Sequence, residues 1–552
     1  MNRARRFLVT LIVLCVAALP LRAAQDMAQE RDPQKWEPVL RKDHAQTKRL
    51  RGRSDSIGSD RTLERGTAIT DPYALRELDG GGLGLGRMLW PERSADFPLT
   101  DADLFGLSSM KPVREVLERE FESYVARHKA KFPNESIGVG ETFAFQLFDP
   151  ALLDSPNTRF VLAGIVNRMD RAYVSEQGCG EIRLIYRLTR ITASQGEGAS
   201  PRLPMTLNLV LKARDPDRTD HTITCSEIAR RWLATADLSL TGSALAQRLL
   251  AADGPLELID HRNVERIETN VQIAHAPKSA VRDFRTDYLL KVFDYNPRTR
   301  RFEEATLENQ IDRDRILADD NLKREFRTWL LEPEHFRELD RGTILISEKF
   351  LARRAIVPTP VGFAISDLQP EFGLMQGESK ASNAVFNDSD VVAALKKAAE
   401  RGVTLENIRS VAGFERRMND ITCAGCHQTR GIGGFHFPGV DWMAEKPSNS
   451  VVVPASPHFF GDQVRRRDIL AAFRDGRRPD FSRGFSSRPQ TRGSNELAGT
   501  EYQDGWGAHC YSRRPGSTDN DSSFRSWGCA EGLACQVADS SSRMGMCFVN
   551  AR

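Results

Sequence analysis

The chain has 552 residues, of which 40% are hydrophobic and 28% charged, with a formal net charge of +3. This composition fits a globular protein and excludes a disordered polyelectrolyte, and so small a net charge gives no reason to expect a nucleic-acid partner. The roughly 530 residues that would follow a leader exceed one ordinary core, so two or three folded units are expected.

Residues 1–24 have the parts of a secretory signal: Arg3, Arg5 and Arg6, an apolar run over 7–19, and a small-residue exit at Ala23 and Ala24. No later run of 18 apolar residues occurs, so no transmembrane segment is expected after cleavage, and the destination is the periplasm or the extracellular space. Cys15 leaves with the signal. Eight cysteines remain: Cys179, Cys225, Cys423, Cys426, Cys510, Cys529, Cys535 and Cys547. In an oxidising compartment Cys179 with Cys225, and two bridges within the tail, are the expected disulfides if Cys423 and Cys426 are otherwise engaged.

Residues 25–70 are polar and aperiodic and are read as a flexible leader. The glycine cluster over 80–86 is read as a plain loop, since no strand precedes it and no Lys-Ser/Thr follows. Residues 101–131 are helical in character, with Val113, Val116, Leu117, Phe121 and Val125 on one side. Strands are predicted over 142–148, 160–166, 182–189 and 205–212, and helices over 226–234 and 243–252. A further strand over 287–295 meets the turn residues 296–299 and returns at Phe302 as a hairpin. Helices follow over 312–331, 390–401 and 404–419, the last beginning at a capping-box-like Thr404-Leu405-Glu406-Asn407. Strands first and helices afterwards favour α+β over alternating βαβ. The expected organisation is a strand-rich α+β domain over 71–385, a helical, cytochrome c-like haem unit over 386–478, a basic linker over 479–504 and a disulfide-rich module over 505–552.

Cys423-Ala424-Gly425-Cys426-His427 is a Cys-x-x-Cys-His, the attachment pattern of a covalent c-type haem. Two thiols one helical turn apart reach the two vinyl groups of one porphyrin, and the adjacent imidazole reaches the iron. His427 is the expected proximal ligand. For the opposite face His436, in the glycine-flanked Phe435-His436-Phe437, is the first candidate, with Met443 as alternative; His458 and an open position also compete. Zinc on Cys423, Cys426, His427 and His436 is a further reading, made awkward by the adjacency of Cys426 and His427. So is a disulfide or metal clip between Cys423 and Cys426 in a protein whose work is partner binding.

Residues 464–492 hold nine arginines and three aspartates. This run reads as a solvated linker, an acidic-partner surface or a seat for haem propionates. Asn167, Arg168, Asp170, Glu181 and Arg183 form a polar cluster beside the strands, read either as a pocket lining or as a buried ion-pair network. No His-Glu-x-x-His, Gly-x-Ser-x-Gly or Walker-type loop occurs, and a di-haem peroxidase would need a second attachment motif.

Several phrases together resemble a group of secreted bacterial proteins without an assigned biochemical activity. They are Gly164-Ile165-Val166-Asn167-Arg168-Met169-Asp170, Cys179-Gly180-Glu181-Ile182-Arg183-Leu184-Ile185-Tyr186, Thr269-Asn270 with Arg282-Asp283-Phe284, and Thr422 to His427 with Phe435-His436. The resemblance spans about 160–473 and implies that His436 belongs with the haem motif. Val271 and Asp283 stand where that group carries glutamate. The expected function is a mono-haem redox protein working with an unidentified redox partner, for which the arginine-rich run suggests an acidic surface.

Overall fold

A computed structural model describes residues 65–92, 99–137, 148–174, 178–190, 202–216, 223–277, 285–358, 385–423, 462–484, 509–511, 533–537 and 544–549. The signal, nearly all of the leader and of the expected strand over 142–148, and Cys426, His427, His436, Met443 and His458 lie outside the described residues.

The fold is α+β. Its centre is an antiparallel sheet with β1 (Ala68–Ile69), β3 (Thr158–Arg168), β4 (Glu181–Arg190), β5 (Arg202–Lys212), β6 (Val264–Pro277), β7 (Arg285–Asn296) and β8 (Arg301–Ala305) in spatial order. Two short strands complete it, β2 (Glu135–Ile137) beside β6 and β9 (Ala355–Pro358) beside β7. The expected strands lie within β3, β4, β5 and β7, and Phe302 pairs with Tyr295 in the hairpin. β1 falls inside the segment read as leader: Thr67 is fully buried and its carbonyl accepts from the Asn167 N–H at 2.9 Å, so the chain joins the fold before residue 70.

One sheet face carries Leu184, Tyr186, Leu207, Leu209, Ile267 and Phe293 in a large core. Helices α1 (Pro72–Gly80), α2 (Leu85–Leu89), α3 (Asp101–Gly106), α4 (Lys111–Lys131), α5 (Cys225–Ala234) and α6 (Gly242–Leu250) contribute to that core. The single helix expected over 101–131 is therefore two, divided at residues 107–110. α4 offers Val113, Val116, Leu117 and Tyr124 at helical spacing, which is what places it on the sheet. Asp71 ties two of the helices together: its carboxylate accepts from Ala74 N–H at 2.7 Å, capping α1, and from Gly242 N–H at 3.2 Å, at the start of α6.

A second core is helical. It joins α7 (Arg313–Ala318), α8 (Asp320–Leu330), α9 (Pro333–Arg341), α10 (Asp388–Glu400) and α11 (Val411–Ile421) through Ile316, Phe326, Phe336, Val391 and Phe414. α11 starts seven residues later than the Thr404 capping pattern suggests, because a more distant carboxylate captures that segment. Asp340 accepts the N–H groups of Glu406, Asn407 and Ile408 at 2.6–2.8 Å, so the chain bends round that carboxylate and enters the helix only after Ser410, whose hydroxyl accepts from Gly413 N–H. α12 (Gln463–Arg474) lies instead on the sheet domain, where its Leu470 enters the first core and Ser226 Oγ donates to the Arg474 carbonyl.

Cys179 and Cys225 are joined by a disulfide that ties the start of β4 to the start of α5 across 46 residues. Replacing Cys179 and Cys225 together by Ser is expected to lower stability by about 2–4 kcal/mol, since the reduced chain regains the loop entropy the bridge removes. A urea midpoint unchanged between the two proteins would show that the unfolded chain stays compact without it. A separate three-stranded antiparallel sheet, β10 (His509–Tyr511), β12 (Met544–Val549) and β11 (Leu533–Val537) in that order, contains the disulfide-bonded Cys535. Among the described residues no helix is long and apolar enough to cross a membrane.

Candidate functional site

Strand alternation decides where the chemistry lies. If one face of β4, β5 and β6 is apolar, the residues between must point to the other face, and here those are mostly charged or polar. Pairing aligns them in rows across the sheet. Arg187, Thr206, Asn270, Leu290 and Ala355 face one another along β4, β5, β6, β7 and β9, and Ile185, Asn208, Glu268 and Val292 form the next row. The second face is nevertheless buried: Asn208 is 1% exposed and Arg183 3%.

At one end of this face the polar residues satisfy one another. Glu181 accepts from Arg183 at 2.9 Å and from Arg266 at 2.7 Å and forms an ion pair with Arg171 at 3.1 Å, while Glu268 accepts from Arg183 at 2.9 Å and from Arg266 at 3.1 Å. Burial alone would raise the Glu181 carboxyl, but Arg171, Arg266 and Arg183 hold it well below the ordinary carboxylate range. Arg171 reaches on to Glu308.

Just past the end of β3, Asp170 accepts two bonds from Arg168, at 2.8 and 3.2 Å, and one each from Arg465 and Arg483 at 2.9 Å. Asp462 in turn binds Arg465 at 2.6 Å and Arg466 at 3.0 Å. Burial pushes both carboxyls up. The surrounding guanidinium groups outweigh it and hold both below their usual range.

Of the two readings of the polar cluster, the ion-pair network is the one found for Arg168, Asp170, Glu181 and Arg183. Asn167 stands apart on the opposite face, where its Oδ1 accepts from Met169 N–H at 2.8 Å. The network also enlists Arg465, Arg466 and Arg483 from the arginine-rich run. These three are half-buried or buried and internally paired, so that part of the run is structural rather than a solvated linker.

Towards the other end the second face changes character. Tyr288, Leu290 and Val292 of β7, with Ala355 and Val357 of β9 and Leu307, make an apolar patch that includes Cys423. Cys423 follows α11 by two residues, is 7% exposed, and its N–H donates to Gln310 Oε1 at 3.1 Å. The first thiol of the Cys-x-x-Cys-His is thus buried in the apolar patch that β7 and β9 contribute to. Cys426, His427, His436 and Met443 cannot be placed relative to it, as they lie outside the described residues. Among the described residues, no group of three or more His, Cys, Asp or Glu is arranged to hold a metal.

Two acceptors of the polar sheet face lack hydrogen bonds among the described residues. Asn208 Oδ1 and Asn270 Oδ1 are buried and have no partner among the described residues. Sequence reasoning missed Asn208 and the whole of β6 as a strand, although Thr269-Asn270 stands in one of the phrases of the resemblance and Arg266, Glu268, Asn270 and Gln272 alternate with Ile267, Val271 and Ile273. Comparison with models of known protein families, with characterised proteins and with solved structures gives no match.

Proposed function

We propose that the chain is an exported mono-haem c-type protein whose role is electron transfer in the periplasm or outside the cell. Its haem would be held by thioethers to Cys423 and Cys426, with His427 as proximal ligand and His436 as distal ligand, Met443 being the alternative. The observation that carries this reading is the setting of Cys423: a buried thiol at a helix exit, fixed through Gln310 and facing an apolar patch. A porphyrin is a flat apolar body with polar groups on one edge, and an apolar patch continuing into a buried polar face suits both parts. The bridged Cys179–Cys225 and Cys535 support an oxidising compartment, where such haems are attached.

The residues present fit the group. Each thiol would add across one vinyl bond, the sulfur bonding to carbon and the thiol hydrogen passing to the terminal carbon, so no external oxidant is needed. When bound, the haem supplies a one-electron couple; the chain's part is to orient it, exclude water and set its potential. The α+β domain and the stapled C-terminal strands would then select the partner.

The test is the intact mass of protein matured in a host that assembles c-type cytochromes, measured after denaturation with a reduced-minus-oxidised spectrum. The expected result is the mass of one added haem, lost when Cys423 and Cys426 are both changed to Ser, with the circular dichroism of the sheet retained. Protein without added haem, from cells that mature a control cytochrome, would overturn the proposal. Cys423 and Cys426 would then be a structural clip in a partner-binding protein.

A further inference from the structure

Resting on the haem reading, we infer that Gln310 is the positioning residue of the haem: by holding the Cys423 amide it keeps the tethered macrocycle against the apolar patch and so favours its reduced state. α11 ends at Ile421, the backbone bends at Thr422 and helical conformation resumes at Cys423. The first N–H groups of a helical turn have no partner within it. Here Gln310 Oε1 accepts the Cys423 N–H at 3.1 Å, from a residue that is 3% exposed. A buried amide is unfavourable unless it is hydrogen-bonded, and this one is matched to the Cys423 backbone.

Gln310 is itself aimed by an uncommon turn. Asn309 has φ +59°, in the left-handed region, which asparagine tolerates better than most residues and which persists where the surroundings over-determine it. They do so through its side chain: Asn309 Nδ2 donates to the Ile344 carbonyl and Oδ1 accepts from Ile346 N–H, both at 3.2 Å. The neighbouring backbone is pinned as well. Gln310 N–H donates to the Leu307 carbonyl at 3.1 Å, and the Gln310 carbonyl accepts from Ala352 N–H at 2.8 Å. Leu307 belongs to the patch that holds Cys423 and Ile311 to the helical core, so residues 307–311 join the two. The side chain that holds Cys423 therefore stands on a rigid base.

A thioether to Cys423 bonds the macrocycle to this backbone, so what moves the one moves the other. Ferric haem carries one more positive charge than ferrous haem, and burial away from water disfavours the added charge. Leu290, Val292 and Val357 supply an apolar wall, and Gln310 supplies the fixed point that keeps Cys423 against it. Without that bond the first turn of the attachment segment is freed, water gains access to the haem, and the oxidised form is favoured.

The test compares the haem-loaded parent with Gln310→Met, which keeps the length of the side chain but has no amide oxygen, and with Gln247→Met, the same exchange at an exposed site on α6. At a fixed ambient potential Gln310→Met is expected to lower the reduced-to-oxidised ratio several-fold and to speed deuterium exchange at the Cys423 amide several-fold. Gln247→Met should match the parent in both. Gln310→Glu, which restores an acceptor, should return the exchange rate towards the parent's. A Gln310→Met protein with the parent's ratio would overturn the inference even if its urea midpoint fell, because the bond would then be structural alone. So would a Cys423 amide that exchanges in the parent as fast as exposed loop amides. If Gln310→Met fails to fold, Gln310→Asn, one methylene shorter, is read for the same two outcomes. A parent protein that never gains haem would defeat the underlying reading instead, and the intact mass separates the two failures.

Discussion

Changing Asp170 to Asn is expected to lower folding stability by about 3–5 kcal/mol, because it removes the buried charge that one buried and two half-buried guanidinium groups share. Arg168 makes both of its carboxylate bonds to Asp170, with Glu181 acting on it only at longer range. Arg465 and Arg483 keep Asp462, but then three cations, with Arg466, crowd one carboxylate. The contacts at risk are those attaching α12 and residues 481–483 to the end of β3. Limited proteolysis should therefore cut the variant near residue 480 before the sheet unfolds. Asp475→Asn is the control: Asp475 is bound by Arg474 and Arg477 at the surface, and its loss should leave the urea midpoint unchanged.

The acid limb gives the same argument a sign. Asp170, Glu181 and Asp462 all have carboxyls held below their unfolded values. Their stabilisation is complete above the unfolded pKa, near 4, and is lost as pH falls through the lower folded values. The parent should lose stability steeply below about pH 4, whereas the Asp170→Asn variant, with one such group fewer, should lose less. Equal acid slopes for the two would mean that Asp170 is not ionised in the folded state.

The network also shows what a sequence does and does not disclose. Val113, Val116 and Leu117 at helical spacing announce α4, and the apolar, β-branched runs announce β3, β4, β5 and β7. β6 escaped because the usual sign of a strand core is an apolar run, and every second residue of β6 is polar so as to serve a buried charged face. The partners of that face are dispersed: Glu181 meets Arg266 from 85 positions away, and Asp170 meets Arg483 from 313 away. No local pattern encodes such a meeting. The Cys-x-x-Cys-His, by contrast, is legible because all its chemistry falls within five residues. Its surroundings are not, since the wall beside Cys423 comes from β7, β9 and Leu307, and the residue that orients it, Gln310, is 113 positions earlier.

One carboxyl should act in the opposite direction to the network. Asp101 opens α3 and is fully buried, and its two carboxylate oxygens lack well-formed hydrogen bonds among the described residues. Burial pushes its carboxyl up to about 8, with Thr158 opposing weakly. The helix N-terminus favours a negative charge by only about 0.3–1 kcal/mol, too little to offset desolvation in this core. The folded protein therefore keeps Asp101 neutral at pH 7 while the unfolded chain ionises it. An acid with a raised folded pKa contributes fully below the unfolded value, near 4, and progressively less as pH climbs towards 8. The decline is roughly 1.4 kcal/mol per pH unit, so about 4 kcal/mol is forgone by pH 7. Asp101→Asn keeps the shape and cannot ionise. Its urea midpoint should match the parent's near pH 4.5 and exceed it increasingly at pH 6, 7 and 8, an advantage that levels off above pH 8. A constant difference across that range would show that Asp101 is ionised in the fold and held by partners other than Thr158.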